Sequence, residues 1–169
     1  MIEKKPVYAK DFEGIFENTD IFLIEICGKN SYKYNNVYVH SALAQFSNET
    51  IANSIVISKQ TDEEIENDIL EIIKELNNKN IIIVGHIVTE YKGERYELSK
   101  LLERICMKYN LLFIDPVTEL TKKGYTIHDL VAHERKIYHY NDAGHSAMKE
   151  VYEEYINRVK RMKQQRLKN

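Results

Sequence analysis

Asn80-Ile-Ile-Ile-Val84 (NIIIV) is a short, unbroken apolar run dominated by β-branched residues. Such a run reads as a buried parallel strand, covered on both faces. Two more runs of the same kind lie either side of it, DIFLIEI from Asp20 to Ile26 and LLFI from Leu111 to Ile114. The segments between them have helical period. Thr61-Asp-Glu-Glu64 reads as a capping box, and Ile65, Ile69, Ile72, Ile73 and Leu76 then mark one helical face, predicting a helix over 62–77. Leu98, Leu101, Leu102, Ile105, Cys106 and Tyr109 predict another over 94–109. Met148, Val151, Tyr152, Tyr155, Ile156 and Val159 predict a third over 143–160. Strands alternating with helices imply an α/β fold, an open, mainly parallel sheet with helices on both faces.

The whole chain of 169 residues suits one domain, here 1–160, followed by a basic tail, 161–169. That tail belongs to RVKRMKQQRLKN, whose cations suit the solvated end of a helix. A formal net charge of −2 gives no reason to expect nucleic acid or an anionic membrane as a partner. The start MIEKKPVYAK lacks the apolar core of a signal peptide, and no apolar run reaches membrane-spanning length. The expected location is the cytoplasm, or a host's cytoplasm if the AT-rich codon bias implied by abundant Lys, Asn, Ile and Tyr is viral. Cys27 and Cys106 sit in apolar runs and read as buried free thiols. No His/Cys/Asp spacing matches a zinc motif, so neither metal nor cofactor is expected.

Ligands in open α/β sheets bind beyond the carboxyl ends of the strands. Cys27-Gly28-Lys29-Asn30-Ser31 follows the first strand, Gly85-His86 the second and Asp115-Pro116 the third; HYNDAGH, from His139, precedes the last helix. A glycine after a strand permits a sharp turn and close approach to a ligand, and Asn30 has an amide suited to a developing oxyanion. His86 is a candidate substrate contact or a structural histidine. The stretch from Asn30 to Lys59 carries Tyr32, Tyr34, Tyr38 and His40. It reads as an excursion on the active side with a short strand near VYVH, and its aromatic faces suit sugar rings. Asp142 has a bland alternative as a helix N-cap, and His145 as a solvent-facing first-turn residue.

On these residues the chain resembles the SGNH (GDSL-like) hydrolases. EICGKNS is similar to their Gly-x-Asn-Asp block, with Gly28 and Asn30 in place, and NDAGHSAM to their Asp-x-x-His block, with Asp142 and His145 in place. By the order of its elements the likeness spans roughly residues 11 to 157. It implies a three-layer, flavodoxin-like sheet and an acyl ester hydrolase or acyl-transfer enzyme, acting on an acetylated sugar or a similar small ester. It also implies roles: His145 as general base, Asp142 as the carboxylate that orients it, and Asn30 as oxyanion donor, with Gly28 in the Gly place of the same block. The pattern departs from the family in three ways. There is no Gly-Asp-Ser, Ser31 replaces the block-three Asp, and only one helix (AKDFEGIFENT) fits before Asp20. The first two strands of that fold, and its nucleophile, are therefore expected to be missing. Ser31 and Ser41 are the weak substitutes. The alternatives are a catalytically silent binding or assembly module, or a fragment of a longer enzyme. An unpaired first strand would need covering, by the 36–58 excursion or by a homodimer.

Overall fold

The computed structural model describes residues 14, 16–39, 41–46, 49–77, 79–132 and 139–166. Its centre is a parallel sheet of β1 (Ile21–Ile26), β5 (Asn80–Gly85) and β6 (Leu112–Ile114) in the order β1-β5-β6. Ile21 faces Asn80, Ile26 faces Gly85, and Ile82 to Val84 face Leu112 to Ile114. The three apolar runs are therefore neighbouring parallel strands, as their composition predicts.

Alternation along β5 builds the layers. Ile82 and Val84 pack with Val117, Leu120, Met148 and Val151, which belong to α5 (Pro116–Lys122) and α6 (Asp142–Arg166). Ile81 and Ile83 pack the other way, against Ile65 and Ile69 of α3 (Asp62–Glu75) and Leu98, Leu102 and Ile105 of α4 (Glu94–Lys108). Helices thus cover both faces. Ile82 and Ile83 are 0% exposed, which explains why the strand has no polar face. Burial of each such side chain is worth roughly 1.5–3 kcal/mol. The capping box closes α3 as expected: Glu64 N–H donates to Thr61 Oγ1 at 3.2 Å, and Thr61 N–H to Glu64 Oε2 at 2.7 Å. The last helix runs six residues past the predicted end, to Arg166, and Lys163 bridges to Asp20 at 3.0 Å. Most of the basic tail is thus a helix end, with one cation returned to the sheet's start.

The tyrosine-rich excursion forms a sheet of its own. β2 (Asn30–Tyr34) pairs antiparallel with β3 (Val37–Tyr38) and with β4 (Val56–Lys59). Asn35 and Asn36, at φ 48° and 65°, make the two-residue turn between β2 and β3, a conformation that asparagine tolerates better than most residues. Two short helices, α1 (Ser41–Phe46) and α2 (Glu49–Asn53), lead from β3 to β4. The expected strand at VYVH exists, but it pairs with β2 and not with β1. Among the described residues no strand covers the outer edge of β1. The covering by the excursion is thereby corrected: a hairpin with its own register satisfies its backbone locally. A two-stranded ladder, β7 (Val131–Ala132) with β8 (His139–Tyr140), leads into α6. Among the described residues no helix is long and apolar enough to cross a membrane.

Candidate functional site

The register of the sheet dictates what meets at its carboxyl rim. Ile26 lies beside Gly85, so the next residues, Cys27 and His86, come together at the ends of their strands. Glu25 and Cys27 are two apart in extended chain and project to the same side. Glu25 Oε1 accepts a hydrogen bond from His86 Nδ1–H at 2.8 Å, since an ionised carboxylate can only accept. The His86 side chain is 9% exposed, and its Nε2 is buried without a partner among the described residues. The His139 ring stands edge-on to His86, with centroids 6.4 Å apart. Its neighbour Tyr140 packs on His145 at 5.6 Å. The short strand β8 therefore links two groups of residues, Glu25–Cys27–His86 on one side and the first turn of α6 on the other.

The first turn of α6 is set by Asn141 and Gly144. Asn141 Oδ1 accepts the Gly144 N–H at 2.9 Å, Asn141 Nδ2 donates to the Asp129 carbonyl at 2.9 Å, and the Asn141 N–H donates to Leu130 O at 3.0 Å. The helix cap is thus Asn141, which overturns the bland alternative for Asp142. Asp142 and His145 are both exposed, three residues apart, and so neighbours on one face of the turn. No hydrogen bond joins them among the described residues. Gly144 is sterically required. A Cβ there would lie 2.1 Å from Leu130 O and 2.9 Å from Tyr140 Cδ1.

The other sequence candidates are dispersed. Asn30 is exposed at the start of β2 and pairs with Lys59; no contact joins it to Asp142 or His145 among the described residues. Gly28 has no positive φ, and a Cβ there would meet nothing, so no turn or close approach demands glycine. Ser31 is engaged across the second sheet: its Oγ lies 2.8 Å from Ser58 Oγ. Ser41 begins α1. Tyr32 and Tyr34 are half-buried in β2, facing Ile57 and Val37 respectively. His40 lies outside the described residues. Asp115 caps α5, accepting from Val117 N–H at 3.1 Å. Beyond His86, a cleft of about 300 Å³ opens between Val88, Thr89, Tyr91, Val117 and Tyr125, and the Thr89 hydroxyl is buried without a partner among the described residues.

Glu25 and Cys27 escape sequence reasoning as site residues. The signal for Glu25 was a charge in the penultimate place of an otherwise apolar strand. Cys106 is buried as expected, but Cys27 is exposed, because the apolar run ends one residue before it and the chain leaves the sheet.

Electrostatics ties the rim together. The hydrogen bond from His86 holds the Glu25 carboxyl below its ordinary range. Desolvation, and then the adjacent Glu25 carboxylate, pushes the Cys27 thiol up to about 11. Burial raises the Tyr140 phenol far above its usual value. A depressed carboxyl stabilises the fold above its unfolded pKa, near 4.5, and that contribution is lost as pH falls through the lower folded value. Replacing Glu25 with Gln should therefore flatten the acid limb of stability below about pH 4.5. The effect is small, under about 1 kcal/mol, because the side chain is partly exposed and screened. Urea midpoints measured against pH for both proteins check this. Equal slopes would mean that the pair contributes nothing.

Compared with protein-family models, curated proteins and solved structures, the chain matches none.

Proposed function

We propose that the rim around α6 is an acyl-transfer site of SGNH type, acting as an ester hydrolase or acyltransferase on an acetylated sugar or similar small ester. One observation supports the reading most. Asn141 caps the helix, so Asp142 and His145 stand exposed on one face of its first turn, linked through Tyr140 and His139 to the carboxyl rim of a parallel sheet. His145 takes the proton of a nucleophilic hydroxyl as that oxygen attacks the ester carbonyl. Asp142 turns to the imidazole and stabilises its charged form. Asn30 supplies its side-chain amide to the tetrahedral oxyanion. Collapse of that intermediate expels the alcohol, which takes the proton from His145, and the acyl group passes to water or to an acceptor hydroxyl. The cleft beyond His86 gives the substrate a recess.

The nucleophile is the open part of this reading. Ser31 is engaged with Ser58, and no serine hydroxyl contacts His145 among the described residues. The edge of β1, which no strand covers among the described residues, is where a second copy adds, in a homodimer, and Ser31 or Ser41 from either copy is the first candidate. The same two facts favour a second reading, a silent SGNH-like binding module. Acetate release from acetylated sugars and nitrophenyl acetate separates the two. The enzyme reading expects turnover, in fractions that sediment as a dimer. No turnover in a folded dimer, together with retained sugar binding, would establish the module instead.

A further inference from the structure

We propose that Glu25, Cys27 and His86 form a binding site for a borderline-soft divalent cation of the zinc class, with one coordination position left for water or substrate. A carboxylate oxygen, the thiol sulfur and a ring nitrogen from these residues all lie within 4.8 Å of one another. Tetrahedral zinc places its ligand atoms roughly 3.3–3.8 Å apart, so the cluster needs only small side-chain movements to close on an ion. The backbone supplies the arrangement: two donors leave the end of β1 on one side, and the third leaves β5 in the adjoining register.

The second observation is His86 itself. Its side chain is more than nine-tenths buried, one ring nitrogen is on Glu25, and the other is buried with no partner among the described residues. Burying an imidazole with half its hydrogen-bonding capacity unused is costly, and native structures avoid it unless the group serves a ligand. A ligating histidine gives one ring nitrogen to the ion and the other to a carboxylate or water, and His86 has one nitrogen on Glu25 and one unused.

The donor set selects the metal. Sulfur, nitrogen and one carboxylate suit zinc, whereas magnesium and calcium want oxygen shells. It also argues against Cys27 as a nucleophile. Glu25 is the hydrogen-bond partner of both the thiol and the imidazole, so a negative charge stands beside the thiol, and His86 is held on Glu25 and not on the sulfur. Sequence spacing could not suggest the site, because its third donor lies 61 positions from Glu25.

Cobalt titration of the full chain tests the proposal without any turnover, so it stands or falls apart from the acyl-transfer reading. Co²⁺ should give a thiolate-to-cobalt charge-transfer band saturating at one equivalent, bleached by Zn²⁺ and untouched by excess Mg²⁺. Cys27→Ser should abolish the band, and Cys106→Ser should keep it. Glu25→Gln and His86→Asn should each weaken binding by about tenfold or more. Circular dichroism confirms that each variant is folded. No band in the wild type, a band that survives Cys27→Ser, or saturation only at millimolar cobalt would overturn the site.

Discussion

Replacing Gly144 with Ala is expected to cost about 3 kcal/mol or more, and to lower the melting temperature by about 6–12 °C for a chain of this size. The added Cβ would lie 2.1 Å from the Leu130 carbonyl oxygen. That oxygen is fixed, because it also accepts the Asn141 N–H. Neither partner is the flexible end of a side chain, so the first turn of α6 must lift off the 127–130 turn. The cap from Asn141 to Gly144 would be strained by the same movement. Ala143→Gly is the control, since it alters the same exposed turn without a steric conflict and should cost only about 1 kcal/mol. Thermal unfolding of the two variants measures the difference. A Gly144→Ala protein that melts with the wild type would mean that the helix does not approach Leu130 this closely.

Replacing His145 with Ala should reduce ester turnover by about 10⁴-fold while leaving the melting temperature within a few degrees of wild type. The two expectations have separate causes. His145 is exposed, and of its side-chain atoms only the ring has a described contact, with Tyr140, so little packing is lost. Its proposed role is the proton transfer. His86 is committed to Glu25 and shielded from solvent. Asp142→Asn should reproduce much of the loss, because the amide no longer stabilises the imidazolium. Steady-state kinetics on a small ester, with thermal unfolding in parallel, reads both. Retained turnover in the Ala variant would remove His145 from the chemistry.

The parallel sheet and its helices were legible in the sequence because burial on two faces leaves a plain mark. NIIIV, DIFLIEI and LLFI have no polar alternation to mislead, and the capping box at Thr61 marks its helix without ambiguity. The partner of β1 was not legible. A hairpin turn at Asn35-Asn36 sends β2 into a ladder with β3 and β4, and that choice rests on competition between registers that no local pattern expresses. The cap of α6 shows the same limit on a smaller scale. Asn141 and Asp142 are adjacent, and both can cap. The choice falls to Asn141 because its amide also reaches the Asp129 carbonyl, on a turn eleven to fourteen positions upstream. Of the candidate residues, His86 was legible from its place after a strand. Its partner Glu25 was hidden among apolar neighbours, and only the pairing of β1 with β5 brings them together.

The acyl-transfer reading is tested most directly by covalent capture. The full chain is incubated with a serine-directed fluorophosphonate and its intact mass measured, alongside the His145→Ala variant. The account predicts one adduct per chain in the wild type, on a serine that peptide mapping identifies, and none in the variant. No adduct on the folded wild-type chain, or equal labelling of both proteins, would contradict it.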